Sequence, residues 1–209
     1  MVANNRSLIQ FPRKGIYLNN TIFVFLDWQI EFISSGRAYA LTNIEDEIKN
    51  CLKLLELARE QGLSIVHFRR LLDGTFFNKS TDFSYWLEEL RPRPNEMVFE
   101  RENPSIYSNS AFSSFVNSIY SPELVVSGLT GEKSCLSSAI DSFHRGHRMV
   151  FNIDASASSS ICKFSEKESH KIISKIINQY ADVMTTEEIL KMMSMSEGSN
   201  GGENEIHYQ

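Results

Sequence analysis

The chain lacks long apolar runs, blocks of basic residues and a cysteine framework, and each absence narrows what it can be. Its longest apolar stretches, TIFVFL and ELVV, fall far short of the roughly 20 residues that span a bilayer, and the amino terminus carries no apolar signal-peptide core. A soluble, cytoplasmic protein with no membrane partner is therefore expected. A formal net charge of -5 without a Lys/Arg run excludes the electrostatic footprint of a nucleic-acid binder, so small molecules or proteins are the expected partners. Cys51, Cys135 and Cys162 are odd in number and form no CxxC pair, which argues against a disulfide framework and a zinc site and for reduced thiols. Histidine is scarce too. His144 and His147 stand three apart with no acid nearby, a setting for helix capping or solvation rather than metal ligation.

What is present is enough apolar residue for one substantial core in 209 residues. Residues 1–19 are polar and basic around Pro12 and Gly15 and read as an N-terminal arm that docks on a neighbour or frays. Residues 20–192 read as one domain, and 193–209, rich in Ser, Gly, Asn and Glu, as a flexible tail. TIFVFLD, 21–27, is a continuous apolar run ending on an acid, the pattern of a parallel strand covered on both faces. Residues 43–60 carry helical spacing, with Asn43 as cap and Gly62 beyond the end. Strands follow at 64–68, 96–100, 123–127 and 148–154, and helices near 109–119, 133–145 and 166–179. This alternation predicts an α/β fold: three αβα layers around a mostly parallel, doubly wound sheet. It sets Asp27, Arg101, Ser134 and Asp154 at strand ends or in the loops beyond them, where such sheets bind ligands. The aromatic-rich segment FFNKSTDFSYWLEELRPRP, 76–94, is expected to be a lid or an oligomer contact rather than a core helix.

Four segments, FVFLDWQIEF, VFERENPSIYSN, LVVSGLTGEKSCLSSAIDSFHRGH and MVFNIDASAS, together resemble the isochorismatase-like family. These are the cysteine hydrolases that include nicotinamidases, carbamoyl-amide hydrolases and isochorismatases. Asp27, Gln29 and Phe32 match the acid, Gln and Phe of the family's first motif. Arg101, Ser105 and Tyr107 keep the spacing of the second but replace its Lys. In the third, the nucleophile stands six residues after a strand-ending Gly and about twelve before a closing one. Counting from Gly128 and from Gly146, both anchors select Ser134, one place before Cys135.

The resemblance implies two chemistries. In one, a small shift lets Cys135 act as nucleophile on a C–N bond, with Asp27 relaying the proton and Arg101 stabilising charge; the alternative for Cys135 is a small buried residue. In the other, which resembles true isochorismatases, Ser134 is merely small, Asp27 protonates a vinyl ether and water completes hydrolysis. A serine nucleophile lacks a base in Arg101, which stays protonated. Burial would raise the pKa of Asp27 and Arg101 would lower it. Since a guanidinium cannot transfer a proton as the family Lys can, a catalytically impaired member that binds or assembles stands as the alternative from another class.

The resemblance also implies a cis bond between Leu129 and Thr130 beside an oxyanion site. Trp28, Gln29, Phe32, His67 and Tyr107 are candidate substrate contacts, the aromatic ones read equally as core and His67 equally as a structural histidine. Asp154 is expected to be structural. Nicotinamidase-like members bind a metal after the first strand, but FISSGRAYALTN holds no His, so neither a catalytic metal nor a cofactor is expected. A homo-oligomer, dimer or tetramer, with a neighbour closing the pocket is the expected assembly.

Overall fold

The structure is a computed structural model and describes residues 20–197. Its sheet is built from β1 (Thr21–Leu26), β2 (Ser64–Arg70), β3 (Met97–Arg101), β4 (Glu123–Leu129), β5 (Arg148–Ala157) and β6 (Asp182–Met184). All pairings between these strands are parallel, in the order β3-β2-β1-β4-β5-β6. Because side chains alternate along a strand, β1 sends Phe23 and Phe25 to one face and Ile22, Val24 and Leu26 to the other. The first face packs on α1 (Glu45–Glu60) and α5 (Thr186–Glu197). The second packs on α2 (Ser110–Asn117), α3 (Leu136–His144) and α4 (Glu166–Ile177). Burial on both sides explains why β1 reads as an unbroken apolar run.

The chain builds outward from β1 through β2 to β3, then returns to the other side of β1 as β4. That reversal falls at the C-terminal ends of β1 and β4, the place where doubly wound sheets bind ligands. The two strands approach closely there. Gly128, φ +155, pairs with Leu26, and a Cβ on it would lie 2.3 Å from the Leu26 carbonyl oxygen.

Several expectations are corrected. The helix over 43–60 begins at Glu45 with no side-chain cap; Asn43 instead takes a left-handed turn, φ 53, before it. Neither β6 nor α5 was anticipated, and α5 carries residues 193–197 of the expected tail, with Met193 buried. The N-terminal arm, 1–19, and the rest of the tail, 198–209, lie outside the described residues. Segment 76–94 is indeed no helix beyond the short turns Asp82–Ser84 and Glu88–Leu90, and part of it joins the core. Phe77, Leu87 and Leu90 are buried, and the backbone is tied to the end of β1 by Ile30 N–Tyr85 O and Leu87 N–Trp28 O, both 2.9 Å. Among the described residues no helix is long and apolar enough to cross a membrane.

Candidate active site

Asp27 follows the last residue of β1 in a left-handed conformation, φ 55, with its N–H bonded to Phe68 O at 2.9 Å. Arg101 ends β3, and its guanidinium crosses the ring of Phe68, 5.8 Å from the centroid, to reach over β2. Ser134 lies in a wide, π-helical turn, Gly131–Cys135, that joins β4 to α3. Three distant segments thus meet at one point. Arg101 Nη2 donates to Asp27 Oδ2 at 2.5 Å and to Ser134 Oγ at 2.9 Å, and Ser134 Oγ donates to the same Asp27 Oδ2 at 2.8 Å. Asp27, Arg101 and Ser134 are 0, 4 and 3% exposed, so the triangle is closed from solvent. Arg101 Nη1 is held by the Asn103 carbonyl at 2.6 Å.

Burial pushes the Asp27 carboxyl above its ordinary value, and the opposing pull of Arg101, the Ser134 hydrogen bond and Arg70 does not cancel it. Oδ2 accepts two donors, whereas Oδ1 has no hydrogen-bond partner among the described residues. A proton on Asp27 therefore belongs on Oδ1, the buried carboxyl oxygen that its neighbours leave unbonded. The peptide bond between Leu129 and Thr130 is cis, the conformation the resemblance implied. Thr130 Oγ1 is bonded to Glu132 at 2.7 Å, and Glu132 also receives Ser159 N–H at 3.2 Å, which fixes the turn before Ser134.

Cys135 does not join the triangle. Its thiol donates to the Gly128 carbonyl at 3.6 Å within the core layer of Ile22, Val24 and Ile106, fully buried. Burial first, and the charge of Asp27 second, push the thiol pKa far up, the reverse of an activated thiolate. Cys135 thus takes the position of the small buried residue that stood as the alternative to a nucleophile.

Most of the candidate substrate contacts are engaged with other parts of the protein. Gln29 spends its amide on the carbonyls of Arg70 and Ser84, at 3.0 and 2.9 Å, and its oxygen on Arg70 N–H at 2.8 Å, stapling β1 to β2. His67 faces the α1 side of the sheet, where Nε2 meets Glu96 at 2.8 Å and the ring stacks on Phe25. Trp28 and Phe32 pack in the α1-side core. The Tyr107 hydroxyl meets His147 Nδ1 at 2.9 Å and Ser142 at 3.2 Å in the opposite layer. Asp154 is structural but in an unexpected way: Oδ1 receives the backbone N–H and hydroxyl of Thr186, at 2.7 and 2.8 Å, capping α5. No group of three or more metal-ligating side chains occurs among the described residues.

Arg70 escaped the sequence reading because β2 was expected to end at residue 68. The strand runs two residues further and sets Arg70 beside Arg101 in register, at the edge that faces Asp27.

Comparison with known proteins agrees with this architecture. A family model described as the isochorismatase domain matches residues 21–188. YddQ of Bacillus subtilis (strain 168), described as an uncharacterized isochorismatase family protein, is 25% identical over 179 residues, covering 82% of this chain and 99% of that protein. Two crystal structures share the fold at lower identity. An isochorismatase from Pseudomonas putida KT2440 superposes with a TM-score of 0.76 at 22% identity, covering 84% of this chain and 93% of its own. A cysteine hydrolase from Pseudomonas syringae pv. phaseolicola 1448A gives 0.80 at 17% identity, covering 88 and 97%. With its six-stranded parallel sheet and nearly the whole described domain matched, this chain belongs to the isochorismatase family of hydrolases.

Proposed function

We propose that the protein hydrolyses a vinyl ether of a small polar substrate by acid–base catalysis, with Asp27 as the acid and no covalent intermediate on the protein. The observation that carries this reading is the identity of the side chain at the third corner of the triangle: a serine hydroxyl, with the only nearby thiol turned into the core. Asp27 Oδ1–H gives its proton to the terminal vinyl carbon, forming an oxocarbenium ion. Water then adds to the cationic carbon and returns a proton to Asp27, and the hemiketal collapses to a carbonyl compound and an alcohol. Arg101 holds the carboxyl and counters the charge that remains after proton transfer, while Ser134 orients Oδ2.

A panel of vinyl ethers, amides and ureido compounds, assayed by release of carbonyl product or ammonia, tests this. Vinyl ether turnover is expected, and Asp27→Asn should lower kcat by about 10²- to 10⁴-fold, the usual share of a general acid. Ser134→Ala should keep most of it.

One observation favours a second reading, a family member that binds without turnover: the three polar side chains are shielded from solvent and bonded to one another. Equal background rates for wild type and Asp27→Asn on every substrate would select it.

A further inference from the structure

The segment MVFNIDASAS and the residues after it hold serines that the triangle leaves unused. Ser156 Oγ receives the Gly128 N–H at 2.9 Å, and the Ser159 N–H reaches Glu132 at 3.2 Å. Between these ties stands Ser158, 1% exposed, whose Oγ lies so close to Gly131 that a Cβ there would come within 2.4 Å of it. The chain leaving β5 is thus laid against the chain leaving β4. Gly131 opens the wide turn that carries Ser134, so Ser158 rests on the backbone of that turn with no side chain between them.

His170 of α4 decides how Ser158 is held. Its Nε2 meets the Ile153 carbonyl at 2.8 Å and its Nδ1 meets Ser158 Oγ at 3.0 Å. A carbonyl only accepts, so Nε2 carries the ring proton and Nδ1 keeps a lone pair, to which the Ser158 hydroxyl donates. Burial lowers the imidazole pKa against the opposing pull of the Ile153 carbonyl and the charges of Glu47 and Glu132, which keeps the ring neutral and that lone pair in place near pH 7. The two hydrogen bonds differ in reach. The one to Ile153 ties α4 to β5, whereas the one to Ser158 fixes a hydroxyl that bears on the turn, and the turn sets Ser134 Oγ at 2.8 Å from Asp27 Oδ2.

We propose that His170 is a positioning residue for Ser134: by holding the Ser158 hydroxyl against Gly131 it fixes the wide turn, and with it the hydroxyl that orients Asp27. Its effect on turnover rests on the functional reading above; its effect on the turn does not.

Substitution separates the two ring nitrogens. His170→Asn keeps an acceptor near the place of Nδ1 and loses the donor at Nε2, His170→Gln keeps a donor near Nε2 and loses the acceptor, and Ser158→Ala removes the hydroxyl itself. In the full chain carrying Ser134→Cys, iodoacetamide labelling read by tandem mass spectrometry reports opening of the turn at the introduced thiol, with the adjacent, buried Cys135 as reference. His170→Gln and Ser158→Ala should each speed labelling of the introduced thiol about tenfold, the effect expected of one lost buried hydrogen bond, while His170→Asn stays within about twofold and Cys135 stays unlabelled. Ser158→Ala combined with His170→Gln should add little to either alone. With Ser134 in place, His170→Gln should lower kcat for a vinyl ether several-fold at unchanged KM, and His170→Asn should restore it. A role confined to tying α4 to β5 gives the opposite order, with Gln the mild variant, and would overturn the proposal, as would labelling unchanged in His170→Gln or Cys135 accelerated equally. If the wild type turns over no vinyl ether, the catalytic reading falls and labelling alone decides the role of His170; turnover with labelling indifferent to these variants does the reverse.

Discussion

Ser134 and Cys135 are adjacent in the chain but live in different surroundings: the hydroxyl donates to buried Asp27 at 2.8 Å, whereas the thiol donates to the Gly128 carbonyl at 3.6 Å inside the apolar layer. The wide turn that precedes α3 decides which of the two meets the acid.

Thiol labelling reads this directly. Cys162 is exposed, while Cys51 and Cys135 are buried with their thiols pushed toward the protonated form by desolvation. Iodoacetamide on the native protein, followed by peptide mass spectrometry, should modify Cys162 alone of the three, and all three in urea. Labelling of native Cys135 at the rate of Cys162 would contradict its placement.

The Asp27–Arg101 pair should show strong coupling. Asp27→Asn leaves a guanidinium buried without a carboxylate, which should cost about 3–5 kcal/mol in urea unfolding. Arg101→Met should cost less at low pH than at neutral pH, because Asp27, already raised by burial, then stays protonated and needs no counter-charge. The double variant should fall well short of the sum of the singles.

Gln29 tests whether a motif residue acts through architecture. Its amide donates to two carbonyls, so Gln29→Glu turns two attractive contacts into oxygen facing oxygen, while Gln29→Met only removes them. The Glu variant should be the less stable by roughly 1–3 kcal/mol, the cost of unsatisfied buried polar groups.

His67 should make stability depend on pH. Desolvation holds the imidazole pKa down to about 4, with Glu96 opposing, against an ordinary value of 6.5. The unfolded chain therefore binds the proton first as pH falls, so this contribution is complete above about 6.5 and is lost progressively down to about 4. The size is about 3 kcal/mol. Urea midpoints at pH 7.5 and 4.5 should differ more in wild type than in His67→Gln; equal slopes would sink the assignment.

Local pattern carried much of the fold. An apolar run closed by an acid identified β1 and Asp27, and the alternation of strand and helix predicted a sheet that the structure shows to be parallel throughout. The unread elements are those whose reason lies elsewhere in the chain: β6 is three residues long and exists by pairing with β5, and α5 is started by Asp154, 32 positions away. The roles of Gln29 and His67 were hidden for the same cause, since their partners lie 41, 55 and 29 positions distant.

By itself the sequence determined the layering, because side-chain period and apolar run length are properties of neighbouring residues. It also supplied the candidates for the triangle, Asp27, Arg101 and either Ser134 or Cys135, through their resemblance to family motifs. Only tertiary structure decided which side chain meets Asp27: a helix turns about 100° per residue, so a single place separates an acid's partner from core filling. It also decided that Arg101 pairs with Asp27, 74 positions away, since pairing depends on carboxylates brought near by folding rather than on those nearby in the chain.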